Sequence, residues 1–389
     1  MNIKIPICMI MGCLLCSCIV HKNIGWPMYM YDPQHTGYSY SRMPKSLYLL
    51  WEYKEFDSYL NNVIVSEGRV IAVLEPRHII SLDISDGSLQ WHFDGDFSGY
   101  PAATKDRIFV GTINGIFCLD AITGSILWEY KDKNLFHNYF DSPPIVVSEY
   151  IFIGTGSEGF QIVDSGYPIG DPFERQKRLL CIHTQSGEIM WEFHGKGIIS
   201  ESPAYADGRV FISGGSSIYC LDADTGDIIW EKEVDVGYHL SLSHDGKKIF
   251  IESYGEVLEC LNSDNGESLW QFDCGSLITV PIAVGHKRVY CGSEDGMFYC
   301  IDLNRGDLIW KKELGNFPSG VLRRQVNILV LTDKKLAVGA GKTLYILDTR
   351  SGKILESYTA EIYIDSIALS DGKLFIGERT GRILCLGSS

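Results

Sequence analysis

Residues 220–230 read CLDADTGDIIW, and residues 300–310 read CIDLNRGDLIW. In both stretches a Cys stands two positions before an Asp, a Gly follows that Asp by four positions, and a Trp follows the Gly by four more. The same phrase, with variations at its start, ends at six tryptophans: Trp91, Trp128, Trp191, Trp230, Trp270 and Trp310. The chain therefore contains several copies of one structural unit.

The copies recur with a period near forty residues. Their turn positions are Asp83, Asp120, His183, Asp222, Asn262, Asp302 and Asp348. The glycines that follow are Gly87, Gly124, Gly187, Gly226, Gly266, Gly306 and Gly352. Several short β-rich runs lie within each period, and no stretch has helical periodicity. This combination is typical of propeller blades or of an open solenoid, in which a repeat buries its apolar face only against its neighbours.

The two ends of the chain favour a closed ring. Residues 384–387 read LCLG and repeat the first half of the phrase, whereas residues 49–52 read LLWE and supply the second half. If these fragments pair, they complete one further blade and remove the exposed sheet edges of an open array. The sequence predicts an all-β, eight-bladed β-propeller of four-stranded blades, closed by pairing of the N-terminal and C-terminal strands.

The repeated phrase resembles the tryptophan-docking motif of the PQQ-like (quinoprotein-type) β-propeller superfamily, and the resemblance extends from about Trp51 to Leu386. It implies that each indole packs between neighbouring blades, against the glycine-containing turn. The docking residues implied are Trp51, Trp91, Trp128, Trp191, Trp230, Trp270 and Trp310, with the seven turn glycines named above. Glu356 stands where the last copy should have Trp, which predicts that its blade is the least tightly docked.

Most of the cysteines belong to the repeat. Cys118, Cys181, Cys220, Cys260, Cys300 and Cys385 occupy the first position of the phrase. Buried Cys behaves as a small, polarizable apolar residue that packs well against aromatic rings. Equivalent positions on different blades should be too far apart for disulfides or a shared metal ion, so a packing role is expected. Cys274 and Cys291 lie outside this pattern, and the sequence leaves their redox state open.

The chain divides into a signal peptide at 1–18, a lead-in segment at 19–44 and the propeller at 45–389. The apolar stretch 5–15 is short for a membrane span and has the length of a signal-peptide core. Residues 15–18 read LCSC and resemble a bacterial lipobox, in which Cys18 would carry the lipid. The sequence thus predicts an exported protein, tethered to a membrane in the periplasm or on the cell surface. A plain secretory signal, an uncleaved anchor and a cytoplasmic protein remain alternatives.

Composition argues against one class of partner. The 389 residues include 34 basic and 49 acidic ones, for a net charge of −15. Nucleic-acid binding requires a positive face for the phosphates, so nucleic acid is not expected as a partner.

Motifs for catalysis are sparse. Dehydrogenases of the resembled superfamily hold pyrroloquinoline quinone (PQQ) with calcium and commonly carry an adjacent Cys-Cys pair, which this chain lacks. Residues 154–159 read GTGSEG and match the letters of a dinucleotide fingerprint, but no helical pattern follows, so a hairpin turn is expected. The histidines show no metal-ligand spacing. We therefore assign no catalytic, cofactor-binding or metal-binding residue, although an active site built from scattered loops stays open.

One repeat is longer than the others. The turn positions Asp120 and His183 are 63 residues apart, and the excess lies before Leu179. It carries aromatic residues and arginine, the usual composition of protein-binding hot spots, on a connection where recognition is common. The candidate partner-binding residues are Phe160, Tyr167, Phe173 and Arg175.

Together these features predict a monomeric, non-catalytic binding scaffold of the cell envelope that contacts other proteins. Among PQQ-like propellers it resembles the BamB-like lipoproteins, which implies a role in the assembly of outer-membrane proteins. A PQQ-dependent dehydrogenase and a carbohydrate-binding or surface-adhesion propeller are the alternatives.

Overall fold

The computed structural model describes residues 25–55, 58–75, 78–95, 97–112, 115–132, 142–155, 178–197, 199, 201–234, 240–242, 246–253, 255–278, 281–314 and 326–388. The signal segment with Cys18 lies outside these ranges, as do Phe160, Tyr167, Phe173 and Arg175 of the candidate partner loop. Within the described ranges the regular structure is entirely β, and no helix has the length and apolarity needed to cross a bilayer.

The described residues form eight four-stranded antiparallel sheets. The strands are β1 (Tyr48–Lys54), β2 (Tyr59–Ser66), β3 (Arg69–Glu75), β4 (His78–Asp83), β5 (Leu89–Asp94), β6 (Phe97–Ala103), β7 (Arg107–Thr112), β8 (Gly115–Asp120), β9 (Ile126–Lys131), β10 (Ile145–Val147), β11 (Tyr150–Thr155), β12 (Arg178–His183), β13 (Ile189–His194), β14 (Ala204–Ala206), β15 (Arg209–Gly214), β16 (Ser217–Asp222), β17 (Ile228–Glu233), β18 (Leu240–Leu242), β19 (Lys248–Ser253), β20 (Val257–Asn262), β21 (Ser268–Asp273), β22 (Ala283–Gly285), β23 (Arg288–Gly292), β24 (Met297–Asp302), β25 (Leu308–Glu313), β26 (Val326–Leu331), β27 (Lys335–Ala340), β28 (Thr343–Asp348), β29 (Ile354–Thr359), β30 (Ile364–Ser370), β31 (Lys373–Glu378) and β32 (Arg382–Gly387). Blades 1 to 7 each contain four consecutive strands, from β2–β5 to β26–β29, and blade 8 combines β30–β32 with β1.

The burial of each strand follows from its place in the blade. The second and third strands, such as β15 and β16, are apolar on both faces because neighbouring blades cover both of them. The fourth strands, such as β17, alternate between exposed and half-buried positions because only one face packs. First strands of successive blades contact one another, as β2 does with β6 and β30. The first strands therefore line the ring axis, and the fourth strands form the rim.

Blade 8 closes the ring. Strand β1 pairs antiparallel with β32, so that Trp51 lies opposite Cys385 and Glu52 lies opposite Leu384. Arg382 adds ion pairs to the carboxylates of Glu52 and Glu361. The predicted eight-bladed propeller, with its N-terminal and C-terminal strands in one sheet, is confirmed.

Each phrase Trp lies on the turn of the following blade. Its indole Nε1 donates a hydrogen bond of 2.9–3.2 Å to the carbonyl of the residue after the turn Asp or its equivalent. The turn glycine has φ between +67° and +77°, and a Cβ added there would lie 2.5–3.0 Å from the indole ring. A side chain at this glycine would therefore be strained by the backbone and would also displace the Trp.

Glu356 occupies the docking position of blade 7, and the structure gives a reason for the exchange. A Trp at this position would cover a turn between β32 and β1. No such turn exists, because the chain enters the ring at β1 and leaves it at β32. Glu356 instead accepts a 2.8 Å hydrogen bond from the backbone amide of Leu47. The backbone amide of Lys45 also bonds the hydroxyl of Ser388, at 3.0 Å. Residues 45–47, between the lead-in and β1, thus replace the missing turn, while the weaker docking of this blade stays a prediction.

Two glycine substitutions separate indole packing from backbone strain. Gly226 and Gly208 have nearly equal φ values of +77° and +75°, but a Cβ on Gly226 would lie 2.7 Å from the Trp191 ring, whereas one on Gly208 would meet nothing within 4 Å. We expect Gly226→Ala to lower the free energy of unfolding by about 2 kcal/mol more than Gly208→Ala, the cost of overpacking a filled site. Urea unfolding followed by Trp fluorescence measures both. Equal losses would mean that the indole does not hold the turn.

Candidate functional site at the ring axis

The lead-in segment crosses the axis at one end of the ring. Its backbone forms hydrogen bonds with the first strands of six of the eight blades. The hydrogen bonds join Trp26 with Val65, Pro27 with Ala103, Pro33 with Tyr205, Gln34 with Leu242, Thr36 with Val284, and Gly37 and Ser39 with Leu331, at 2.6–2.9 Å. Trp26, Met28, Met30 and Tyr38 are buried along this path. The segment is therefore built into the ring as its axial closure.

The end that is closed can be derived from the blade topology. In blade 4 the first strand ends at Ala206 and the third strand ends at Asp222, where the docking turn begins. Alternate strands of an antiparallel sheet run the same way, so both ends lie on one face of the ring. We call this face the turn face and the other the opposite face. Pro33 and Gln34 bond residues of first strands at their turn-face ends.

His35 is the polar centre of this closure. Its Nδ1 lies 3.2 Å from the carbonyl oxygen of Leu240, and its Nε2 lies 2.9 Å from the hydroxyl of Ser202. Burial lowers the pKa of His35 to about 4, so the imidazole is neutral at physiological pH. A neutral imidazole has one N–H; when Nδ1 donates it to Leu240, Nε2 competes for the single Ser202 hydroxyl hydrogen with the Pro143 carbonyl, which lies 2.7 Å from the same oxygen. The hydroxyl of Ser241 donates to the His35 carbonyl at 2.6 Å.

Asp32 holds the neighbouring turn of the lead-in. Its carboxylate accepts hydrogen bonds from the backbone amide of Thr36 at 2.9 Å and from the Thr36 hydroxyl at 2.5 Å. Burial nevertheless raises the pKa of Asp32 to about 6, because it outweighs these hydrogen bonds. Asp32 and His35, three residues apart, are thus both shifted toward their neutral forms.

A Ser next to a neutral His has the composition of a nucleophile and its base, but the surroundings of Ser202 leave little room for a substrate. Ser202 is 5 % exposed. The cavity beside it, lined by residues such as Met30, His35 and Ile282, has a volume of about 10 Å³. That is room for about one water molecule. The pair therefore acts as a brace between the lead-in and the blades, and sequence reasoning missed it.

PQQ bound with calcium would need oxygen ligands and an open cavity at the axis. Calcium takes six to eight oxygen ligands, and no group of three or more His, Cys, Asp or Glu in the described ranges is placed to hold a metal ion. The cavity of about 10 Å³ is much too small for a fused three-ring quinone. This cavity at the turn face therefore does not fit the cofactor.

The six repeat cysteines are all buried core members, as the sequence predicts. Each lies on a third strand opposite the docking Trp of its own blade, as Cys220 lies opposite Trp230. Burial raises the pKa of Cys118 to about 11 and that of Cys181, Cys220, Cys260, Cys300 and Cys385 to about 12. Their thiolates are therefore scarce, which makes them poor nucleophiles and poor metal ligands.

The residues at the base of the candidate partner loop are well fixed. Thr155 at the end of β11 pairs with Arg178 at the start of β12, on the opposite face. The Arg178 guanidinium lies 2.7 Å from Asp132, and both side chains are about nine-tenths buried. Arg178 also pairs with Glu192 at 3.3 Å. The long connection between Thr155 and Arg178 thus leaves from a rigid base.

Fold and axial site together define an eight-bladed PQQ-like propeller with a self-closed axis. The family model described as "Outer membrane protein assembly factor BamB" matches residues 46–166 and 175–389. The chain belongs to this family. A comparison with curated protein sequences gave no match.

Solved structures share the fold. BamB from Moraxella catarrhalis is 16 % identical with a TM-score of 0.67, and the alignment covers 88 % of this chain and all of that one. The quinohemoprotein alcohol dehydrogenase from Comamonas testosteroni is 14 % identical with a TM-score of 0.75, covering 94 % of this chain and 81 % of that one. A europium-containing methanol dehydrogenase is 14 % identical with a TM-score of 0.69, covering 92 % and 89 %. At these identities the likeness concerns the fold alone.

Single substitutions at the two axial residues should reveal opposite pH dependences. Between pH 4 and 6 the folded chain keeps Asp32 protonated and His35 neutral, whereas the unfolded chain has Asp32 ionised and His35 protonated. The two proton counts balance, so this pair adds little slope to stability there. In Asp32→Asn, His35 remains alone, and stability relative to wild type should fall by about 3 kcal/mol as the pH falls from 6.5 to 4. In His35→Asn, stability should instead fall as the pH rises from 4 to 6.

The measurement is urea unfolding at half-unit pH steps for wild type and both variants. Subtracting the wild-type curve removes the contribution of all other titrating groups. Variant curves parallel to wild type would show that neither residue is held neutral in the closed axis.

Proposed function

We propose that the chain is a non-catalytic, membrane-tethered binding platform that contacts other envelope proteins and serves outer-membrane protein assembly. The observation that carries this proposal is the match of the BamB family model over nearly the whole propeller. The description of that family names outer-membrane protein assembly, and we propose the same role for this chain.

The closed axis supports a binding role over a catalytic one. Propellers that work on small molecules need a cleft in which the ligand is largely enclosed. Here the lead-in bonds the first-strand ends of six blades, and the described cavity has room for one water. The rim and the opposite face remain as surfaces for a large partner.

The long connection in blade 3 supports a partner site on the opposite face. The family model leaves residues 167–174 unmatched, and this stretch includes Tyr167 and Phe173 of the candidate loop. Phe160 and Arg175 flank it. A feature in which the chain departs from its family, on a base fixed by Arg178 and Asp132, is suited to a partner particular to this protein.

The proposed lipid tether at Cys18 is also consistent with a partner site on the opposite face. Gly25 follows Cys18 by seven positions, and an extended chain spans at most about 25 Å over that length. Gly25 is followed by Trp26, which pairs with Val65 at the turn face. A lipid on Cys18 therefore holds the turn face near the membrane and leaves the opposite face directed toward partners.

The partner loop is tested by capture from membranes. We expect the intact lipidated chain to co-purify with a defined set of envelope proteins identified by mass spectrometry. Replacing residues 160–175 by a Gly/Ser linker of equal length should reduce that capture at least tenfold, because aromatic and Arg hot-spot contacts are lost. The melting temperature should not change, because Thr155 and Arg178 stay in place.

Two controls accompany this experiment. Tyr59→Ala removes an aromatic side chain that is 65 % exposed and begins β2 on the same face, and it should leave capture unchanged. Cys18→Ala should move the protein from the membrane to the soluble fraction while preserving capture of solubilised partners. Undiminished capture by the linker variant would refute the role of the loop.

A cofactor titration separates the platform from a dehydrogenase. The purified protein is titrated with PQQ in the presence of calcium, with Trp fluorescence as the readout. We expect no saturable change, because the described turn-face cavity is too small for the cofactor and no group of three or more His, Cys, Asp or Glu in the described ranges is placed to hold the metal ion. Saturable binding, together with dye reduction by an alcohol or a sugar, would contradict the proposal and indicate a dehydrogenase. Retention of glycans on an array would instead favour an adhesion propeller.

A further inference from the structure

Cys274 and Cys291 meet at the boundary between blades 5 and 6. Cys274 directly follows β21, the rim strand of blade 5, and Cys291 lies in β23, the second strand of blade 6. Their sulfur atoms are 3.8 Å apart. Cys291 is fully buried and Cys274 is 6 % exposed. The two thiols are therefore in contact, about 1.8 Å farther apart than in a disulfide.

The equivalent positions at neighbouring blade boundaries show which residue types the repeat normally has in place of Cys274 and Cys291. At the preceding boundary they are Val234 and Ile251, and at the next they are Leu314 and Val338. All four of these side chains are buried. Packing between blades is thus achieved with aliphatic residues, and at no other boundary does the sequence place Cys at both positions.

The backbone around the pair is held from both blades. The amide of Cys274 donates to the carbonyl of Glu256 in blade 5 at 2.9 Å. The hydroxyl of Tyr299 in blade 6 donates to the carbonyl of Cys274 at 2.7 Å, and Tyr299 is the cross-strand partner of Cys291. Because these bonds fix both main chains, the sulfurs can approach by side-chain rotation with little backbone movement.

We propose that Cys274 and Cys291 form a disulfide that staples blade 5 to blade 6. The oxidant is a disulfide-bearing thiol oxidoreductase or a small-molecule disulfide. The thiolate of Cys274 attacks one sulfur of the oxidant, which forms a mixed disulfide and releases one thiol. The thiolate of Cys291 then attacks the Cys274 sulfur and releases the second thiol. Two protein thiols and one oxidant disulfide thus become one protein disulfide and two oxidant thiols.

The surroundings indicate when this reaction proceeds. The hydrogen bond with Cys274 and burial raise the pKa of Cys291 well above its usual range, so its thiolate is scarce once the boundary has packed. Oxidation is therefore fastest while the chain folds, and the finished bond is shielded from reductants. The six repeat cysteines face indoles within their own blades and have no such sulfur neighbour among the described residues.

The test uses the purified full chain, refolded with oxidised glutathione, alkylated in denaturant without reduction and analysed by peptide mass spectrometry. We expect one linked peptide pair that joins Cys274 to Cys291 and is lighter by two hydrogens than the reduced pair, with the repeat cysteines alkylated. The melting temperature of the oxidised protein should exceed that of the reduced protein by about 4 °C.

The matched control is the double variant C274V/C291I, which installs the residues of the preceding boundary. It should fold as wild type does, and its melting temperature should not respond to reductant. In the single variant Cys274→Val the response should also vanish, because Cys291 has lost its partner. Two alkylated thiols at 274 and 291 after oxidative refolding, or a reductant response that persists in Cys274→Val, would overturn the proposal. Neither readout depends on the partner or on export, so the result is independent of the proposed function.

Discussion

The ring depends on one repeated contact, an indole lying flat on a glycine. At seven of the eight boundaries a rim-strand Trp covers the turn glycine of the next blade and donates its N–H to the carbonyl beside it, as Trp191 does with Gly226 and Ala223. The contact demands a positive φ and the absence of a Cβ at once, which only glycine supplies without strain. The contact also links the folding of each turn to the packing between blades, because the Trp of the preceding blade packs on that turn.

The eighth boundary shows how a closed repeat copes with having two ends. The chain enters and leaves the ring where the docking turn of blade 8 should be, so an indole at position 356 would have no turn to cover. Glu356 instead bonds the entering backbone at Leu47, and Leu47 and Met43 are buried in the same apolar cluster as Ala360. The loss of the docking Trp is therefore linked to the place where the chain enters and leaves the ring, and residues 43–47 supply both the hydrogen bonds and the apolar cover.

The sequence predicts the repeated parts of this molecule well and the unrepeated parts poorly. Blade number, closure and the docking residues follow from a phrase that is copied in register, because each copy has the same local environment. The path of residues 26–39 occurs once and is set by contacts with strands up to about three hundred residues away. No repeated pattern therefore predicted that His35 contacts Ser202. The pairing of Cys274 with Cys291 had a signal, since Val234 and Ile251 show what the repeat normally places there. That signal becomes readable only when the positions at a blade boundary are known to touch.

Closing the axis changes what a propeller of this type offers to other molecules. The same fold in the dehydrogenase structures supports catalysis, and fold likeness alone does not choose between that use and assembly. In this chain the polar groups that converge on the axis, including His35, Ser202 and Ser241, bond one another or the lead-in backbone. A ligand at that place would have to replace a segment that bonds six blades, at the cost of every one of those hydrogen bonds. The closed turn-face end is therefore consistent with the proposed platform, in which partners bind the opposite face and the rim.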